Sequence, residues 1–599
     1  MRGAVLGTSL VLAAVTARAG AEEEWLQALS KGLASEYSQD RHNALKQVNV
    51  STARNLKVLW KVLDRIRKDS LIFDWYVRQG AVEALSNVKE EGAKEEIGRL
   101  LKSKKYPYSK EAVVYSVIRR IRKDFVKDYG GADDEKVEEA KKKLRKTRGL
   151  EYIKMMLPRL KRLDPGGERF RWIELAFQDQ DSRVRTAALN GFLTYPRATT
   201  IPLLINNLET LKALEKKSKK NKERYYREWV VNRFVLEQLS GQYFRDVVED
   251  WKRWWSVAKD EFSLEKRIVE ELGGADGKGR GKTVVVQHGG VEVEVNMKIA
   301  GKRDGYPLLV IPWRGYEPDY FRPYFHGIEE FLRVYYLYMP RIEDFKGLKR
   351  EGKSNIPKYP TKKLADVLSE YMKETGQERF AVMGHGPGAS TLAMYLTASH
   401  SEQISHLIMI NPRSEGKRYG AALENVKKVG RSRKIPEVVK GVDHVYVKKD
   451  GSPVYKPADA AERAGLNRAL HNLHFADPTA PEVGTLDYLF ELPGGVQVMN
   501  DDTWSIHKIF DKKRPRMPTL VCMGMKAPWT PVGDMQGVAR FFRAVEAKFP
   551  KSSEMPFLFE TYAFTRAVGD FFRKYSPDGK KEKKKKRSSR KKDKKKKEE

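Results

Sequence analysis

The stretch Arg379-Phe-Ala-Val-Met-Gly-His-Gly-Pro-Gly-Ala-Ser-Thr-Leu-Ala-Met-Tyr-Leu396 holds the plainest structural pattern in this chain of 599 residues. Its apolar run, Phe380 to Met383, has the length and continuity of a buried strand. Glycines at 384, 386 and 388 with Pro387 between them demand a sharp bend, since glycine reaches backbone angles that other residues avoid. Helix-forming Ala, Leu and Met follow at once. The order is strand, turn, helix.

Outward from that stretch, the second half of the chain reads as more of the same. Thr283 to Gln287 and Val291-Glu-Val-Glu-Val-Asn-Met-Lys-Ile299 alternate as a half-buried antiparallel pair does. Leu308-Leu-Val-Ile-Pro312 is an unbroken apolar run of the kind found in central strands covered on both faces. Val334 to Tyr338, His406 to Pro412 and Pro518 to Gly524 predict further strands, and Thr361 to Thr375 a helix. Two antiparallel strands followed by alternating strand and helix predict an α/β domain, with a mostly parallel sheet and helices on both faces.

With these residues in view, the chain resembles the α/β-hydrolase fold superfamily. Phe380 to Pro412 is similar to its nucleophile elbow, G-x-S-x-G. Asp319-Tyr-Phe-Arg-Pro-Tyr324 is similar to a phrase of the proline iminopeptidase-like branch, and about 413–516 sits where that family inserts a cap. The resemblance covers about Thr283 to Tyr575. It implies a serine between Gly384 and Gly388, an acid in a G-x-x-D phrase after the strand at 518–524, and a histidine ahead of the last helix. This chain has Gly386, Ala527 and Glu554 at those three positions, and no histidine follows His507. Acyl transfer on this fold needs a nucleophile, a base and an orienting acid. Loss of the nucleophile alone costs on the order of 10⁶ in turnover, so the triad is read as degenerate and no catalytic residue is assigned. The oxyanion loop is represented by Pro312-Trp-Arg-Gly-Tyr316, and a ligand pocket beneath the cap would be lined by Trp313, Arg314, Gly315 and His385.

Substitutes for the lost groups fare poorly. Ser390 lies one helical turn past Gly386, so its hydroxyl follows the helix and leaves the sheet's upper edge. His385 is the ordinary residue before an elbow nucleophile, and packing explains it better than chemistry. Asp534 and Glu415 are candidate displaced acids with no base to orient. His471 and His474 share a helix face at i and i+3, yet two histidines fall short of a zinc ligand set. Gly384-x-Gly386-x-x-Ala389 formally fits a dinucleotide fingerprint, but the next strand ends in Asn411-Pro412 without the acidic residue that binds ribose. No cofactor and no metal is called for. The alternative that remains is an active esterase or aminopeptidase-like hydrolase with a non-standard nucleophile.

The first half reads as stacked helices. Asp40-Arg-His-Asn-Ala-Leu45 is echoed 34 residues later by Asp74-Trp-Tyr-Val-Arg-Gln-Gly-Ala81, and 107 further on by Asp181-Ser-Arg-Val-Arg-Thr-Ala-Ala-Leu189. Ser109-Lys-Glu-Ala-Val-Val-Tyr115 is a fainter copy. An N-capping Asp, then Val and Arg, then small Ala residues where helices approach closely, resembles HEAT-type repeats, which stack into solenoids and present protein-binding surfaces. Asp133 to Arg148 and Lys212 to Arg227 read as charged insertions. Phe244-Arg-Asp-Val-Val-Glu-Asp-Trp-Lys-Arg-Trp-Trp255 reads as an aromatic helix that caps the stack or docks the next domain.

Composition frames the whole. Arg2, an apolar run from Val5 to Val15, and small residues through Ala19 and Ala21 have the layout of a secretory signal peptide. No later apolar run has the length of a spanning helix, so a secreted, periplasmic or cell-envelope protein is expected. The single cysteine, Cys522, lies in a strand pattern and is expected to be buried and inert. The formal net charge is +35, and Lys580 to Glu599 alone holds 14 Lys/Arg against 4 Asp/Glu. Such a tail is read as disordered, with adhesion to an anionic polymer or surface as its function. The expected domains are a signal peptide (1–21), a HEAT-like α-solenoid (22–265), a Gly-rich linker (266–282), an α/β-hydrolase-like domain (283–575) and a Lys-rich tail (576–599). Together they predict a secreted binding or scaffold protein that meets a protein partner through its helical half. Polyanion binding through the tail alone is a further alternative.

Overall fold

A computed structural model describes residues 24–35, 38–66, 75–89, 91–131, 133–146, 149–218, 220–244, 247–273, 282–313, 316, 318–340, 344–347, 359–415, 419–432, 439, 445–447, 453–455, 505–511 and 513–575. The expected signal peptide, the glycine run of the linker, Arg314, Gly315, most of the cap with His471 and His474, and the Lys-rich tail lie outside the described residues. The chain divides into two compact units, built chiefly from Met1–Arg280 and from Gly281–Ala422 with Phe490–Glu599.

In the first unit helix follows helix from Glu24 to Gly273. Ser182–Thr194 shows why the repeated phrase is helical. Asp181, in extended backbone, accepts the N–H of Arg183 at 2.8 Å, an N-cap that stabilises a helix by about 1 kcal/mol. Val184, Ala187 and Ala188 behind it are fully buried. The helix packs against Pro107–Gly130 and Lys222–Ser240. At Asp40 the expected cap is replaced. Ser38–Lys46 starts earlier, and Asp40 sits in its first turn accepting the Ser35 hydroxyl at 2.6 Å. The charged stretch at 133–148 is the helix Asp134–Lys146. The one at 212–227 is divided between Thr200–Lys217 and Lys222–Ser240. The aromatic helix begins at Val248, later than expected, and Leu264–Gly273 is helical where the linker was expected to begin.

The second unit is built on a nine-stranded sheet. Its strands are β1 (Lys282–His288), β2 (Val291–Gly301), β3 (Tyr306–Ile311), β4 (Leu332–Tyr338), β5 (Phe345–Lys346), β6 (Phe380–His385) and β7 (Ile404–Ile410), then, beyond the short β8 (Val445–Val447) and β9 (Pro453–Tyr455), β10 (Thr519–Gly524) and β11 (Val545–Phe549). The order is β1-β2-β4-β3-β6-β7-β10-β11, with β5 on β2, while β8 and β9 pair with each other. β1, β4 and β5 run antiparallel to β2, and the remaining pairs of the nine-stranded sheet are parallel. The expected mostly parallel sheet with an antiparallel start is therefore present. Every residue of β6, β7 and β10 is buried, as continuous apolar runs require. The helices Thr361–Glu374 and Gly386–Ser399 and the strands share one apolar core, with Leu368, Leu392, Val382 and Met409 fully buried. β11 alternates half-buried and exposed up to the buried Phe549, as an edge strand does. No helix among the described residues is long and apolar enough to cross a membrane.

Candidate functional site at the elbow

The parallel strands place their C-terminal ends side by side, where β3, β7 and β10 each deliver a loop and β6 a helix. β6 ends at His385, and the helix Gly386–Ser399 starts with no intervening residue. That turn puts Gly386 at φ +76°, a left-handed angle that costs other residues about 1–2 kcal/mol. The space a side chain would take is occupied. A Cβ on Gly386 would lie 2.6 Å from Cδ2 and 2.7 Å from Cε3 of Trp313, just past β3.

His385 is fully buried and encircled by aromatic rings. Trp313 and Phe557 meet it edge-on at 5.2 Å between centroids, with Tyr320 and Phe321 beside them. The bonding fixes its tautomer. A main-chain carbonyl only accepts, so Nε2 carries the proton and donates to the oxygen of Glu554 at 2.8 Å. Nδ1 therefore accepts the hydroxyl proton of Tyr320, whose oxygen in turn accepts the Trp313 N–H at 3.1 Å. Burial pushes the imidazole down to about 3, against the pull of the Glu554 carbonyl. A neutral ring with both nitrogens engaged has no lone pair left for a general base.

Glu554, in the place where the resemblance puts a histidine, is also fully buried. Burial pushes its carboxyl up to about 7, against the Trp529 N–H at 2.8 Å, the Asn411 Nδ2 at 2.9 Å and the charge of Arg413. Asn411 is the hub that sequence reasoning missed. It holds φ +49°, a left-handed angle that Asn tolerates better than most residues, at the end of β7. Its Oδ1 accepts the Gly524 N–H at 2.8 Å, and its Nδ2 reaches the main-chain oxygen of Glu554 at 3.1 Å. At Gly524 a Cβ would fall 1.6 Å from the Ser553 oxygen, so the loops meet with no room for a side chain. Ala527 is buried in the loop after β10, where its N–H closes a turn on the Gly524 oxygen at 3.1 Å. The structure thus joins Trp313, Tyr320, His385, Glu554 and Asn411 by main-chain and side-chain hydrogen bonds, with Gly386 packed under the Trp313 ring.

The candidate substitutes stand elsewhere. Ser390 donates its hydroxyl to the Gly384 oxygen at 3.1 Å, buried within the turn. Asp534 accepts the Ser414 hydroxyl at 2.9 Å, and Glu415 forms a β-bridge with Ser505. Cys522 is buried in β10 and its thiol is pushed up by burial. Tyr320 lay within a quoted phrase, but nothing in the phrase pointed to the histidine it binds.

No family model matches the chain, and no curated protein matches it. Solved structures do. A meta-cleavage product hydrolase from Pseudomonas fluorescens IP01 is 17% identical at a TM-score of 0.35, over 50% of this chain and 99% of that one. A membrane phospholipase A described as a bacterial virulence factor is 16% identical at 0.32, over 55% and 98%. A thermophilic esterase from Thermogutta terrifontis is 14% identical at 0.31, over 49% and 99%.

Proposed function

We infer that the second unit is an α/β-hydrolase-like domain that has exchanged catalysis for binding or scaffolding, within a secreted two-domain protein. Its strand order and its strand–turn–helix elbow support the hydrolase-like reading. One observation carries the loss of catalysis: the Trp313 indole occupies the Cβ space of Gly386. His385 adds to it, since both its nitrogens are engaged and its ring stays neutral.

The first unit serves in this reading as a HEAT-like protein-binding stack. Its support is a repeated ion pair. Arg78 and Arg185, at the same place in two copies of the phrase, bind Glu111 and Glu228 on other helices. The N-terminal apolar run supports secretion, and the Lys-rich tail supports a tether to an anionic surface.

The deciding experiment treats the purified full-length protein with esters, amino-acid arylamides and a serine-directed fluorophosphonate. Neither turnover nor covalent label is expected. A label, or turnover that Trp313→Ala or Tyr320→Phe changes, would instead establish an active hydrolase with an unconventional nucleophile.

A further inference from the structure

A cavity of about 510 Å³ opens within the helical unit, far along the chain from the elbow. Its walls are the loop after Glu91–Lys102, the first turn of Pro107–Gly130, the loop ahead of Ser182–Thr194, and Arg224. Two carboxylates reach it and both are committed. Asp179 takes the ammonium of Lys110, which is 1% exposed, and accepts the Asp181 N–H at 2.8 Å. Asp181 is spent on its N-cap.

The cations at the rim are not committed in this way. Lys102, Lys104 and Lys105 are exposed, and their ammonium groups make no hydrogen bond or ion pair among the described residues. Arg224 stands beside them, its Nε donating to the Ser182 hydroxyl at 2.7 Å. The helix Pro107–Gly130 begins at the same wall. Its N-cap, Tyr106, is left-handed at φ 62° and supplies no side-chain cap, and the first turn holds no acidic residue. The positive end of the helix dipole therefore has no acidic residue of its own first turn to offset it. Lys102, Lys104, Lys105, Lys110 and Arg224 outnumber Asp179 and Asp181 in the lining, so the cavity is net positive, and the helix start without a side-chain cap adds to that sign.

We propose that this cavity binds a phosphate monoester. A phosphate carries about −1.5 to −2 near neutral pH, which answers several cations at once where a carboxylate answers one. The volume lies within the roughly 300–1,000 Å³ of small-ligand sites, so room remains for an organic body beyond the phosphate. Gln178 and Gln180 offer amides to its hydroxyls, and Leu101 and Leu175 offer an apolar wall.

Calorimetric titration of the full-length protein with glucose 6-phosphate, at near-physiological salt, tests this. One saturable site is expected, weakened about tenfold or more by K104E/K105E, weakened less by K104A/K105A, and unchanged by K259E/K266E. The last pair makes the same change in net charge at exposed positions outside the cavity. Circular dichroism confirms that each variant is folded. Absence of a saturable site, or equal weakening by both charge-reversed pairs, would overturn the proposal. Binding to phosphatidic-acid vesicles that K104E/K105E abolishes, without any response to the soluble ester, would overturn a soluble ligand and assign the phosphate to a lipid headgroup.

Discussion

At the scale of single residues, Gly386 and Glu554 carry the most specific expectations. Gly386→Ser places a side chain at a left-handed angle and against an indole at the same time. Overpacking costs about 1–3 kcal/mol and the backbone angle adds to it. The denaturation midpoint should therefore fall, and Trp313→Ala in the same chain should recover part of the loss. Equal stability of Gly386→Ser and the parent would contradict the packed elbow. Glu554 sets a pH dependence. Its folded value near 7 exceeds the ordinary 4.5, so between those limits the folded state holds a proton that the unfolded state has lost. Stability from this group is full below about 4.5 and is lost as pH rises through 7. His385, pushed down to about 3, works the other way, its contribution being lost as pH falls from 6.5. Glu554→Gln removes only the first effect. Relative to the parent, the variant should gain stability as pH rises from about 5 to 7, by up to roughly 3 kcal/mol. A difference that does not vary with pH in urea titrations would refute a carboxyl near 7.

Among the elements, the buried ion pairs of the helical unit are the joints to test. Arg78 and Glu111 are 2% and 1% exposed, and removing one partner leaves the other charged in an apolar setting. Arg78→Met is expected to cost about 3–5 kcal/mol, and adding Glu111→Leu to return much of it. Non-recovery in guanidinium melts would show that the pair does more than satisfy itself. This scale also shows what the sequence revealed and what it hid. β3, β6, β7 and β10 were legible because strands covered on both faces must be apolar throughout. β11 was missed because Val545-Glu-Ala-Lys-Phe549 covers an edge and looks polar, and β5 because two residues leave no pattern. The positions 386, 527 and 554 followed from the resemblance to the α/β-hydrolase superfamily, carried over phrase by phrase. The roles of Trp313, Tyr320 and Asn411 did not, because they arise only when the ends of β3, β6, β7 and β10 are laid together.

For the whole molecule, the charge is the property open to test. Lys580 to Glu599 contributes 14 Lys/Arg against 4 Asp/Glu, which is +10 of a net +35. Chain lacking those residues should elute from a heparin column at clearly lower salt, since each neutralised anion adds to the salt dependence. Unchanged elution would move polyanion binding to the folded units.

The Trp313 ring lying over Gly386 also limits which substitutions this turn can accept. A hydroxyl introduced at 386 meets the indole, and shaving the indole alone uncovers a turn with nothing to attack from it. Each single step loses something before any reaction is possible, and the neutral His385 would still need release from Tyr320. If the domain is inactive as proposed, bond cleavage at this turn requires several changes at once.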